Sequence, residues 1–233
     1  MSEQTPGPGR PRRVAGVKVF PLPEIIAGIY AVTATCGLLD AASFLGLGHV
    51  FVETMTGNVI FLAFSVGVGG TEFLPYPLAL GAFAVGAVAA GRLVRMGHPG
   101  RRAGFTATVI LIGIAVLVTA LAHPVPGGPA ANVVIAILSS AMGIQNTLLR
   151  RWGVPDIATN VITLTLAALL SESTLAGGSN PRVARRAGSI LIFAVSAGFG
   201  AFLSRYGVLW PMLAAFVVFA LALPILLQPL SEE

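Results

Sequence analysis

The stretch FVETMTGNVIFLAFSVG, residues 51–67, decides the architecture of this chain. It is as apolar as a membrane helix, yet Glu53 and the turn-forming residues Thr56, Gly57 and Asn58 lie near its start. It is therefore either a complete membrane span or a bent segment that enters the membrane partway and returns. The choice fixes the side of the membrane on which every later loop lies.

The composition is that of a membrane protein. Of the 233 residues, 55% are hydrophobic and 10% are charged, and the mean hydropathy is +0.88. Soluble domains carry about 25% charged residues, so most of this chain faces something other than water. Several apolar runs approach or exceed the roughly 18 residues that cross a bilayer. The composition predicts an all-α polytopic membrane protein whose first partner is the lipid bilayer.

Eight apolar segments alternate with Gly- and Pro-rich breakers. They cover residues 24–46, 54–69, 76–92, 103–122, 130–149, 157–170, 187–203 and 208–228. The second and sixth segments are the shortest, and both begin with turn-forming polar residues. The basic, Pro- and Gly-rich residues 1–22 indicate a disordered cytoplasmic tail and not a signal peptide, and residues 230–233 form a second short tail.

The chain shows signs of an internal duplication, with a first repeat at 23–123 and a second at 124–229. The stretch FAVGAVAAGRLVRMG (83–97) matches FAVSAGFGAFLSRYG (193–207) at an offset of 110. Three small or polar residues recur at a shared offset of 106: Thr33, Gly37 and Asp40 match Ser139, Gly143 and Asn146. Matches in the same order along the chain favour two structural repeats.

The 14 Lys and Arg residues test the topology. If all eight segments cross the membrane, the basic residues divide 7 to 7 between its sides. If the second and sixth segments are re-entrant, 13 lie on the cytoplasmic side and only Arg205 lies opposite. The positive-inside rule favours the second arrangement, with the N-terminus in the cytoplasm. Three spans per repeat then give two inverted repeats, a plan shared by many secondary transporters and some channels.

Asp40 is the most informative single residue. An Asp at the centre of a membrane helix costs about 2.5–3.5 kcal/mol on insertion scales, so its side chain should face a polar interior. Helical spacing places a small, polar stripe on the same face, made of Thr33, Cys36, Gly37, Asp40 and Ser43. Two roles are open: a proton or cation site, or an Asp that caps a broken helix or pairs with a polar neighbour.

The MTGN motif, residues 55–58, is the second candidate site. Thr56 or Asn58 is predicted to cap the following helix, and Gly57 to permit a sharp turn. The helix N-terminus would present free N–H groups at membrane depth, where transporters bind anionic groups. The alternative is that these residues only satisfy the backbone of a bend.

The remaining candidates come from the second repeat and from the loops. Gln145, Asn146, Thr159 and Asn160 are predicted to line the same polar centre, where the neutral Asn146 would face the titrating Asp40; interhelical hydrogen bonding is the alternative. Three further residues are predicted at a mouth or gate: Glu53, His49 and Arg151. No Walker loop, zinc-type His and Cys cluster or Ser-His-Asp set is present, so the sequence predicts no enzyme, cofactor or metal. The basic residues are mostly loop arginines that flank apolar segments, as the positive-inside rule produces, so no nucleic-acid partner is predicted either.

Two stretches carry a resemblance to a known family. GLLDAASFLGLGHVFVETMTGNVIFLA (37–63) and GIQNTLLRRWGVPDIATNVITLTLA (143–167) resemble the signature of the YoaK family, bacterial integral membrane proteins with a domain of unknown function. The matching signature positions are Gly37, Asp40, Phe44, Gly48, Phe51, Met55, Thr56, Gly57, Asn58, Gln145, Asn146, Arg151, Pro155 and Thr159. The resemblance implies a bacterial inner-membrane location and supplies no substrate.

Two functions follow as hypotheses. The first is a small transporter or permease, working as a homo-oligomer on a small solute or ion, with its site at Asp40 and the MTGN turn. The second is a non-transporting scaffold or assembly factor, in which the polar motifs only hold bent helices together. A solvent-reachable pocket near mid-membrane lined by Asp40, Asn58, Gln145 and Asn146 would favour the first, and a dry, packed centre with Asp40 paired would count against it.

Overall fold

The computed structural model describes residues 23–69, 74–152, 162–180 and 182–228. Within these ranges the chain forms eight α-helices: α1 Pro23–Ser43, α2 Met55–Val68, α3 Pro75–Val94, α4 His98–Ala122, α5 Pro129–Trp152, α6 Ile162–Ser171, α7 Val183–Ser204 and α8 Leu209–Leu226. A π-helical turn, Phe44–Gly48, extends α1, and a 3-10 turn, Thr174–Ala176, follows α6.

Proline and glycine set many of the helix ends. Helices α3 and α5 begin at Pro75 and Pro129, where the missing N–H is one that a first helical turn leaves unpaired in any case. Helix α2 ends at Gly69, which adopts the left-handed conformation with φ 67°. The ends of the predicted segments lie within a few residues of the ends of these helices. The exception is the sixth segment, because its residues 157–161 lie outside the described residues.

Six of the helices are long and apolar enough to cross a membrane: Glu24–Gly48, Pro75–Val94, His98–Ala122, Pro129–Arg151, Val183–Ser204 and Leu209–Leu226. The other two, α2 and α6, have 14 and 10 residues. At about 1.5 Å per residue α2 is about 21 Å long, which is less than the roughly 30 Å hydrocarbon core. The predicted all-α polytopic membrane protein, with about six spans and two short helices, is confirmed.

Helices α1 and α5 form the centre of the molecule. In the apolar windows of these two spans 61% of the residues are buried, against 33% or fewer in the other four. Helix α1 packs against α7 and α8, helix α5 packs against α3 and α4, and α4 also packs against α8. Large apolar side chains such as Phe64, Leu121 and Phe199 are exposed on the periphery, where lipid would cover them.

Glycine allows close contacts of both central helices with their neighbours. A Cβ at Gly37 of α1 would overlap the Phe193 carbonyl of α7, and a Cβ at Gly143 of α5 would overlap the Phe83 carbonyl of α3. The two phenylalanines lie in the stretches that match at an offset of 110, and the two glycines match at an offset of 106. The corresponding crossings therefore use corresponding residues.

Candidate functional site

The chain reverses direction at the end of α1. The π-helical turn closes at Gly48 with φ 125°, and His49 follows in the left-handed conformation with φ 55°. Glycine adopts such a φ at little cost, whereas a residue with a side chain adopts it rarely. The two residues turn the backbone back along α1, so that residues 50–54 return toward the depth of Asp40 before α2 begins at Met55.

Asp40 holds this returning segment. Its Oδ1 accepts hydrogen bonds from the backbone N–H groups of Val52 at 3.0 Å and Glu53 at 2.8 Å. Its Oδ2 accepts from the backbone N–H of Thr54 at 3.1 Å and from the Thr54 hydroxyl at 2.5 Å. The residue is 3% exposed. Asp40 therefore satisfies three consecutive N–H groups of non-helical backbone inside the protein.

Asn58 satisfies the neighbouring peptide group. Its Oδ1 accepts from the N–H of Phe51 at 2.9 Å, and its Nδ2 donates to the Phe51 carbonyl at 2.6 Å. Asp40 and Asn58 together bind the N–H groups of residues 51–54. Irregular backbone within a membrane domain is tolerated only where such partners exist, so these two side chains make the interrupted path between α1 and α2 possible.

The detailed roles predicted for the MTGN residues are corrected. Thr54 occupies the N-cap position of α2, so the helix already includes Thr56 and Asn58. Gly57 lies in the first turn of the helix and not in a sharp bend. Its missing Cβ leaves room for the Phe51 ring, which a side chain at this position would overlap. Tertiary contact with that ring, and not turn geometry, explains the glycine.

Glu53 is also placed differently from the prediction. The sequence predicts a position near the outer mouth, but the residue is 2% exposed and lies within the protein, because the bonds to Asp40 draw residues 52–54 inward. Its Oε2 accepts from the Asn146 Nδ2 of α5 at 2.5 Å. Its Oε1 is buried and has no hydrogen-bond partner in the described part of the chain. Burial is the largest cause that raises the pKa of Glu53 well above its usual range, and the nearby Asp40 carboxylate is the next. The Asn146 carboxamide and the Cys36 thiol act in the opposite direction.

Cys36 and Gln145 are two further polar residues beside Asp40 and Asn146. Cys36 lies one helical turn before Asp40 on α1, and Gln145 directly precedes Asn146 on α5. The Gln145 carboxamide is buried and lies 3.5 Å from the Cys36 Sγ through its Nε2 and 3.7 Å through its Oε1. Cys36 is the midpoint of the Glu24–Gly48 span. We name Cys36, Asp40, Glu53, Gln145 and Asn146 the central polar cluster. It combines two carboxyls, two carboxamides and a thiol from α1, α5 and the turn between α1 and α2.

Other predicted site residues lie elsewhere. The side chains of Thr56, His49 and Arg151 are exposed, so none belongs to the central polar cluster. Thr159 and Asn160 lie outside the described residues. The sequence does not point to Thr54, because its hydroxyl becomes a donor to Asp40 only after the chain has reversed. Among the described residues no group of His, Cys, Asp and Glu side chains is arranged to hold a metal ion. The two carboxyls of the cluster are groups that can gain or release a proton.

Comparison with known proteins gives a family and one relative. The family profile described as "Protein of unknown function (DUF1275)" matches residues 29–225. The UPF0700 transmembrane protein YoaK of Bacillus subtilis (strain 168) is 30% identical over 141 residues, which cover 59% of this chain and 62% of that protein. The match thus spans less than two thirds of the relative's length. No solved structure matches the chain.

Proposed function

The chain belongs to the DUF1275 family of membrane proteins of unknown function, and from that premise we propose that it transports a small solute or ion. The path would pass through the central polar cluster, between α1, α5 and the turn before α2. The proposed partners are the bilayer, the transported solute or ion and further copies of the same chain. No enzymatic reaction is part of the proposal.

The observation that carries the proposal is a second buried acid at the interrupted helix. Asp40 alone satisfies the N–H groups of residues 52–54, so the bend does not need the Glu53 side chain. A carboxyl inside a membrane domain is costly, and such residues commonly mark ion and substrate pathways. Glu53 also bonds to Asn146 of the other half of the chain, which places the acid where the two halves meet.

The helix packing supports two inverted repeats, as in many secondary transporters. The contacts of α1 with α7 and α8 correspond to the contacts of α5 with α3 and α4. The correspondence pairs α1 with α5, α3 with α7, and α4 with α8. Two spans lie between each helix and its counterpart, so paired helices cross the membrane in opposite directions. Asp40 and Asn146 then occupy equivalent positions, one charged and one neutral.

The packing of the centre favours the scaffold function instead, because Asp40 is paired and Asp40, Asn58, Gln145 and Asn146 are all buried rather than lining a solvent-reachable pocket. The Asp40 carboxyl accepts four hydrogen bonds from residues 52–54, so it is fully engaged in holding the turn. If the bond between Glu53 and Asn146 were also purely structural, the central polar cluster would only hold the bent helices together. The two functions differ in whether any solute crosses the membrane.

Osmotic swelling of proteoliposomes tests transport across a panel of chemically different solutes. We expect at least one of potassium, sodium and ammonium salts, urea and glycerol to enter faster than into protein-free liposomes. Glu53→Gln should slow that entry, because it removes the acidic group at the centre. Ser204→Ala is a matched control, since the Ser204 hydroxyl bonds to the carbonyl of Gly200 in its own helix.

Two results would contradict transport through this site. Entry rates equal to those of protein-free liposomes for every solute of the panel would favour the scaffold. Faster entry that Glu53→Gln leaves unchanged would move the path away from the central polar cluster.

We also propose a bacterial inner-membrane location with the N-terminus in the cytoplasm, supported by the 13 to 1 division of basic residues in the six-span arrangement. With single cysteines at exposed loop positions, a membrane-impermeant thiol reagent should label Gly97→Cys and Leu175→Cys from the same side, and Val125→Cys from the other. The native Cys36 is fully buried and should stay unlabelled. Labelling of positions 97 and 175 from opposite sides would mean that the short helices cross the membrane.

A further inference from the structure

We propose that Glu53 is a proton-binding site, occupied by a proton at neutral pH, while the neighbouring Asp40 stays ionised as a fixed anion. The inference rests on the proposed function in one respect: the proton would be the ion to which transport is coupled. Its structural basis is the difference between the hydrogen-bond partners of the two acids.

Asp40 is surrounded by donors. Three N–H groups and one hydroxyl point at its two oxygens. A carboxylate accepts such bonds with both oxygens, and donors of this kind stabilise its charged form. A proton on Asp40 would have to displace one of these donors. The geometry therefore assigns the negative charge of the pair to Asp40.

Glu53 has the opposite surroundings. Only its Oε2 accepts a strong bond, from Asn146, and its Oε1 is buried without a partner among the described residues. A buried carboxylate with one unpaired oxygen is costly, and a second negative charge beside Asp40 adds to that cost. A proton on Oε1 removes the charge and keeps the Asn146 bond intact.

The groups that face Glu53 come from two helices. Helix α1 contributes Asp40 and the Cys36 thiol, and helix α5 contributes the neutral Asn146 carboxamide. On release, the proton passes to water and leaves a carboxylate 2.5 Å from the Asn146 nitrogen. Because Asn146 belongs to the other half of the chain, the charge on Glu53 bears directly on the contact between the two halves.

Infrared spectroscopy of the protein in lipid nanodiscs tests this assignment. We expect a band from the C=O stretch of a protonated carboxylic acid at neutral pH, shifted when side-chain carboxyls of glutamate carry heavy carbon and unshifted when those of aspartate do. This labelling uses the unmutated chain, so a variant that fails to fold cannot obscure the result. Glu53→Gln should remove the band, whereas Glu172→Gln should leave it, because the Glu172 side chain is exposed and pairs with Arg186.

Each outcome decides the proposal. Absence of the band means that both acids are ionised, and a band that responds to aspartate labelling places the proton on Asp40; both results overturn the proposal. A glutamate band that survives Glu53→Gln also overturns it. The swelling assay is independent of the infrared experiment. A Glu53 band without solute entry would reject transport and support the proton site. Solute entry without the band would support transport and reject the proton site.

Discussion

Replacing Asp40 by alanine lowers the free energy of unfolding by about 4 kcal/mol, because two buried and two half-buried donors lose their acceptor together. The donors are the backbone N–H groups of residues 52–54 and the Thr54 hydroxyl. Each buried donor left unpaired costs about 1–3 kcal/mol, and relaxation of the turn keeps the total below the full sum. Unfolding of both proteins in mixed detergent micelles measures the difference.

Two amide variants separate the roles of the two acids. Asp40→Asn keeps one acceptor oxygen but directs an NH₂ group at donors, so a loss of about 2 kcal/mol is expected. Glu53→Gln should change stability by less than about 1 kcal/mol, because the Oε1 position has no hydrogen bond to lose. A stable Asp40→Asn protein together with an unfolded Glu53→Gln protein would show that the structural role belongs to Glu53.

The inward orientation of Asp40 could be predicted from the sequence because it depends only on helical periodicity. The stripe through Thr33, Cys36, Asp40 and Ser43 repeats at the spacing of one helix face, and all four side chains are buried. The short length of α2 could be predicted as well, because its apolar run, residues 54–69, ends at a Gly- and Pro-rich stretch.

The depth of Glu53 could not be predicted in the same way. It depends on the reversal at Gly48 and His49 and on hydrogen bonds between Asp40 and residues 12 to 14 positions later. No periodic pattern links these positions, since the connecting chain is not a regular helix. The partner Asn146 lies 93 residues from Glu53, so their pairing is visible only once α1 and α5 are packed together.

The MTGN motif shows how a tertiary contact can override a local signal. Thr, Gly and Asn are turn formers by composition, yet α2 runs through Thr56, Gly57 and Asn58. Asn58 is used for its carboxamide, which pairs with both polar groups of Phe51, and Gly57 for the space that the Phe51 ring occupies. The residue types of the motif therefore indicated a special role correctly, but the residue that they contact is Phe51, in the turn before the helix.

Replacing Gly143 by alanine should destabilise the protein by about 3 kcal/mol, at the upper end of the usual cost of overpacking. The added Cβ would overlap the Phe83 carbonyl and crowd the Ala87 amide of α3. Neither backbone group can move without displacing its helix. At an open helical position the same change normally stabilises by about 0.5–1 kcal/mol, so the expected effect is reversed in sign as well as large.

Two further substitutions turn this prediction into a test of the repeats. Gly37→Ala should cost about as much as Gly143→Ala, because its Cβ would overlap the equivalent groups of Phe193 and Ala197. Gly198→Ala, on the exposed face of α7 with nothing within 4 Å, should be neutral or slightly stabilising. Unfolding midpoints in the same micelles compare all three. If Gly37→Ala were tolerated while Gly143→Ala was not, the two crossings would not be equivalent, and the inverted-repeat arrangement would lose its most specific structural support.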